Sequence, residues 1–218
     1  MKKLNMMPNK SDGALITFCG LDGCGKTTML RKVKNFLENE YEIFETKQPT
    51  EFVRNSDIFR NYTDTPEHSA YEYRALSFLA ASDRIQHSRK VIESAMNDGK
   101  IVLSDRYFYS CLANLRARGY KRDKWIYEAA GYVIKPDAAF FFDVPVETAV
   151  KRVRAREAEK ERYIDMELQY RLRDEYIRIC KSNGGVLIST LMSEDECFNK
   201  VKKIIERILK NGNKRKGI

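Results

Sequence analysis

The chain has 218 residues, 43% hydrophobic and 33% charged, a profile that fits one globular α/β domain with a sizeable core. No apolar run approaches the roughly 20 residues needed to cross a bilayer. Behind Lys2 and Lys3 no apolar stretch follows that would make an export signal, so the cytoplasm is the expected location. The formal net charge of +9 favours polyanionic ligands. The five cysteines contain no CxxC pair, which argues against a disulfide framework or a cysteine metal site.

In chain order, residues 1–12 read as a loose lead-in, 13–210 as a single domain and 211–218 as a basic tail. ALITFCG (14–20) is a short buried strand, 26–40 an amphipathic helix, and YEIFET (41–46) a second strand. Helical periodicity runs from 70 to 97. KIVLSD (100–105) and AAFFFD (138–143) are strand-like, 146–159 and 166–181 helical, GGVLIST (184–190) strand-like, and 194–210 helical. Apolar strands alternating with helices predict a doubly wound α/β fold, a parallel sheet covered on both faces.

The most specific motif lies between the first strand and the first helix. Gly20-Leu21-Asp22-Gly23-Cys24-Gly25-Lys26-Thr27 matches GxxxxGK[ST], a phosphate-binding P-loop, with Thr28 following. Its glycines let successive N–H groups turn towards phosphate oxygens, and the following helix adds its positive end. Lys26 would meet the β- and γ-phosphates of ATP, and Thr27 would ligate Mg²⁺. Cys24, near a helix N-terminus, is expected to favour the thiolate and to be open to alkylation. Asp105-Arg106 ends the strand KIVLSD, at the sheet edge where open α/β folds bind ligands. There Asp105 can reach the metal or its waters, and Arg106 can clamp a phosphate. A basic run from Lys151 to Arg156, continued by Lys160 and Arg162, predicts a mobile lid over residues 153–165 that neutralises charge and excludes water. His68 and His87 are expected on the surface or on helix faces, with no catalytic part.

GLDGCGKTT, DRYxxS, PDxxFFxD, KRxxxR and ERY follow one another in an order and spacing that resembles the thymidylate kinases, over roughly residues 14–176. The resemblance implies an ATP-dependent nucleoside-monophosphate kinase, with dTMP as acceptor, Mg²⁺ as cofactor and a homodimer built through long helices. It implies that Asp22 meets the acceptor sugar, Arg106 its phosphate and Arg84 its thymine, with Arg152 against the adenine of ATP. Since the P-loop carries no arginine, it points to Arg156 and Arg162 as catalytic arginines in the lid. Lys47, Pro49, Phe78, Ser110 and Asn114 fall on the acceptor side. Lys47 stands where the family has arginine, Ala80 where it has a stacking phenylalanine, and Asn114 where it has a tyrosine beside the ribose 2′ position. Phe78 is the nearest candidate to replace the stack, although two positions is about 200° around a helix. These departures leave open a relative acting on another nucleotide or nucleoside. A P-loop switch acting on nucleic acid is a third reading, against which no nucleic-acid-binding pattern is found.

Overall fold

The computed structural model describes residues 2–68 and 70–215, the last five as helix backbone alone. Five strands, β1 (Ala14–Gly20), β2 (Ile43–Lys47), β3 (Ile101–Asp105), β4 (Ala138–Asp143) and β5 (Val186–Ser189), form one parallel sheet in the order β2-β3-β1-β4-β5. Every residue of β1 is buried, as expected for a central strand with helices on both faces. Phe18 of β1 packs against Phe140 and Phe142 of β4, each pair with ring centroids 6.0 Å apart.

The helices in chain order are α1 (Lys26–Leu37), α2 (Glu51–Arg54), α3 (Asp57–Asp64), α4 (Tyr73–His87), α5 (Glu93–Asn97), α6 (Tyr109–Ala117), α7 (Trp125–Ala129), α8 (Val146–Arg154), α9 (Met166–Asn183) and α10 (Glu194–Arg215). A π-helical turn, Ser88–Ile92, joins α4 to α5, so the long periodic segment is one helix with a local widening. Its buried Ser88 hydroxyl lies 3.1 Å from the Tyr107 hydroxyl and accepts from Ile134 N–H at 3.1 Å, tying this turn to the segment that follows β3 and to the segment before β4. Helix α9 begins where the Asp165 carboxylate accepts from Leu168 N–H at 3.0 Å, and it ends at Gly184 in the left-handed region. Arg173 of α9 holds Asp143 at the end of β4 through two hydrogen bonds of 2.7 and 2.9 Å. On the same helix buried Glu175 pairs with Arg116 of α6 at 2.7 Å, so α6 and α9 are joined across their packing surface.

The segment 1–12 is not loose over its described part. Leu4 and Met6 are buried, Met7 exchanges backbone hydrogen bonds with Val133 and Lys135, and Leu4 N–H donates to Asn183 Oδ1 at 2.9 Å. Burial of two alternating side chains plus these bonds fixes a stretch that composition alone would leave free. At the other end α10 runs to Arg215; of the tail expected over 211–218, residues 216–218 lie outside the described residues.

Candidate active site

Parallel register places the ends of β1, β2 and β3 side by side, with Phe18 and Lys47 both opposite Asp105. The phosphate loop leaves β1 at this edge. Gly23 and Gly25 adopt positive φ values of 79° and 90°, and a Cβ at Gly23 would stand 2.1 Å from the Ala149 carbonyl oxygen, so this turn admits only glycine there. Lys26 opens α1 with its side chain folded into the loop, Nζ donating to the Leu21 carbonyl at 2.6 Å. Thr27 is exposed at the mouth of the loop. Cys24 corrects the expectation of a reactive thiolate: it is 1% exposed, and burial pushes its thiol up despite the nearby Lys26 charge. The other four cysteines are also buried, with Cys19 pushed up to about 12 and Cys180 to about 11 by burial.

A single cavity of about 870 Å³ runs from this loop across the sheet edge. At its centre Asp22 faces two arginines. One carboxylate oxygen accepts from Arg106 Nη2, and the other accepts from Arg162 Nη2 at 3.2 Å. Burial alone would raise the Asp22 carboxyl, but Arg106, Lys26 and Arg162 outweigh it and hold the group well below the usual carboxylate range. Arg106 adopts a φ of 69°, rare outside glycine, while its N–H donates to the Phe18 carbonyl at 2.8 Å. Its Nη1 donates to the Gly20 carbonyl and to the Tyr176 hydroxyl, each at 3.0 Å. Tyr176 donates in turn to Ser110 Oγ at 3.0 Å, so Ser110 reaches the phosphate region through a tyrosine on α9. Sequence reasoning gave Tyr176 no role, because one tyrosine in an amphipathic helix carries no signal of its own.

Asp105 and Thr27 both line the cavity, and Asp105 Oδ1 is buried with no hydrogen-bond partner. An unsatisfied carboxylate oxygen beside a phosphate loop fits Mg²⁺, which takes one or two protein oxygens and completes its shell with phosphates and water. Lys47, Pro49 and Arg54 line the same cavity, with Arg54 Nη1 donating to the Pro49 carbonyl. Between Lys47 and Pro49 lies Gln48, fully buried, with neither amide atom hydrogen-bonded.

The far wall comes from α4 and α6. Arg84 is 4% exposed, donates from Nη1 to the Ala80 carbonyl at 2.9 Å, and leaves Nε without a partner. Asn114 donates to the Ser110 carbonyl at 2.9 Å and accepts from Arg118 Nη1 at 2.8 Å. Phe78 is corrected as an acceptor-side residue: half-exposed, it stacks on Trp125 with centroids 4.0 Å apart and does not line the cavity. The helix is regular here, so its phase turns residue 78 away from the face that carries 73, 77, 80 and 84. His68 lines the cavity, its ring against Tyr62, whereas His87 meets Thr46 Oγ1 at 2.6 Å.

Helix α8 stops at Arg154, and only a 3-10 turn, Glu157–Glu159, interrupts the loop that leads to α9. Arg154 Nη1 donates to the Lys160 carbonyl at 2.7 Å, which folds the loop back on the helix end. Arg156 and Arg162 both line the cavity; Arg162 also binds Glu159 at 2.9 Å. Arg152 does not line it. It donates to the Thr190 carbonyl at 3.1 Å, and Thr190 in turn lies against Gly25 of the phosphate loop.

Residues 18–208 match a family model described as thymidylate kinase. A "Probable thymidylate kinase" of Pyrococcus horikoshii is 34% identical over 84% of this chain and 91% of its own length. One of Thermococcus kodakarensis is 32% identical over 87% of this chain and 96% of its own. A "Thymidylate kinase" of Finegoldia magna is 32% identical, covering 88% of this chain and 97% of that protein.

Proposed function

The chain belongs to the thymidylate kinase family, and on that footing we propose that it moves the γ-phosphoryl group of ATP to thymidine monophosphate, yielding ADP and thymidine diphosphate. The observation that carries this is one continuous cavity joining a P-loop, the Asp105–Arg106 pair at the end of β3 and Arg84 on α4. An acceptor oxygen attacks the γ-phosphorus while the bond to the β,γ-bridging oxygen breaks. The attacking phosphate is already anionic, so the protein supplies position and positive charge and no general base is needed.

In this scheme Lys26 and the loop N–H groups hold the β- and γ-phosphates. Thr27 and Asp105 would hold Mg²⁺, which neutralises charge on those phosphates when bound. The acceptor phosphate meets Arg106 and Lys47, and its sugar takes over Asp22 from Arg162. Arg162, released from Asp22, and Arg156 then turn to the γ-phosphate as the 153–165 segment closes. Arg84 takes the base edge, and Arg152 lies on the adenine side of the loop. A cytoplasmic homodimer through the long helical segment 70–97, where Phe78 and Val91 are exposed, belongs to the same reading, and light scattering tests its size.

The direct test is ADP release from ATP·Mg²⁺ against a panel of ribo- and deoxynucleoside monophosphates. Selective stimulation by dTMP, lost in Lys26→Ala, is expected. Stimulation by another acceptor would move the specificity to the wall around Ala80 and Asn114. Bound ATP with no acceptor-dependent turnover would overturn the kinase.

A further inference from the structure

A nucleobase is held by a flat surface against its face and by hydrogen bonds along its edge. Tyr73 is the only aromatic residue of α4 on the cavity wall, and its face is already covered: the Arg118 guanidinium carbon lies 4.2 Å from its centroid. Tyr62 stands edge-on to Tyr73 at 5.0 Å and supports the ring from α3. The guanidinium is also held at its edge, because Nη1 donates to Asn114 Oδ1 at 2.8 Å and Asn114 is itself tied to the Ser110 carbonyl. Arg118 remains partly exposed on the cavity wall, and among the described residues its guanidinium meets Asn114 and the rings of Tyr73 and Tyr62 and makes no ion pair with a carboxylate. A cation set in one orientation on a buried ring, with no counter-charge, suits a ligand plane better than a protein ion pair.

We propose that Arg118 is the base-face contact of the acceptor site: its guanidinium plane stacks on the acceptor's base, with Tyr73 behind it and Asn114 setting its angle. This rests on the acceptor being a nucleotide, as proposed above. The edge is left to Ser77 and Arg84, whose Oγ and Nε are buried without partners. A guanidinium only donates, and a serine hydroxyl can do so. A carbonyl edge, as in thymine or uracil, satisfies both groups, whereas the exocyclic amine of cytosine would set donor against Arg84.

The test is calorimetric binding of dTMP and of 2-deoxyribose 5-phosphate, which lacks the base, to the full chain and to Arg118→Met and Arg118→Lys. Both variants should weaken dTMP about tenfold or more, the usual effect of losing one base-stacking partner, and both should leave the sugar phosphate unchanged. Lysine keeps the charge without the plane, so it guards against a variant that fails for lack of charge or fold. Wild-type affinity for dTMP in both variants would overturn the proposal, and so would parallel loss of both ligands, which marks a structural role. A wild-type chain that binds neither ligand would instead overturn the proposed function itself.

Discussion

Replacing Glu175 by alanine removes the acidic centre of the α6–α9 contact. Its carboxylate is 3% exposed, held by Arg116 at 2.7 Å and by Arg178 at 3.1 Å, and the Arg116 side chain is itself only 15% exposed. Deleting one member of a buried pair costs about 3–5 kcal/mol, because the surviving charge is left in low dielectric without compensation. Arg116 retains some access to water, which favours the lower end, about 3 kcal/mol. In a chain of this length 1 kcal/mol moves the melting temperature by about 2–4 °C, so a fall of about 6–12 °C is expected by calorimetry. The double variant Glu175→Leu/Arg116→Met should recover most of it, since a packed apolar pair avoids the desolvation penalty. Because Tyr176 adjoins Glu175 and orients Arg106 and Ser110, the single variant should also raise the dTMP KM at temperatures where it stays folded. A shift below about 2 °C would refute the claim that this pair joins the two helices.

Four further variants have defined outcomes. Phe78→Ser should leave the dTMP KM within about twofold and lower the melting temperature by about 2–4 °C, the loss of one aromatic stack of about 1 kcal/mol; a tenfold rise in KM would return Phe78 to the acceptor pocket. Burial lowers the His87 pKa against the opposing pull of Asp83, so the folded state favours the neutral ring. That contribution is present above about pH 6.5 and is lost as pH falls through the depressed folded value. The melting temperature of the native chain should therefore drop more steeply between about pH 6.5 and 5 than that of His87→Gln, and parallel curves would contradict it. Arg162→Ala should lower kcat by about 10²-fold or more, as for removal of one transition-state donor, while Arg152→Ala raises the KM of ATP alone; an unchanged kcat in the first would remove Arg162 from the chemistry.

The sheet was legible because its inner strands carry short apolar runs beside turn signals, whereas the edge strand β2, IFETK, is mixed; the phosphate loop was legible because its glycines and lysine have one geometric use. AAFFFD is observed as the strand Ala138–Asp143. The lid helix is different: RAREAEKER has high helix propensity, yet the helix ends at Arg154, where a side chain bonds back to the Lys160 carbonyl. Helix α6 lies in a stretch whose apolar residues surround the axis, because nearly all of it is buried and periodicity gives no face. The Tyr73–Arg118–Asn114 arrangement joins residues from two helices and depends on packing that no local spacing reveals. The Lys47, Ala80 and Asn114 departures could be seen in the sequence; their consequence could not, since it depends on what stands opposite them.

Burial of all five cysteines has a practical consequence. Thiols that are shielded and held protonated react slowly with maleimides, so the native chain is already a quiet background for site-specific labelling. Cysteines introduced at Asn55 and Glu161, both exposed and both on the cavity rim, would take a donor–acceptor dye pair without prior removal of native cysteines. The dye separation would then follow the 153–165 segment through a catalytic cycle in single molecules.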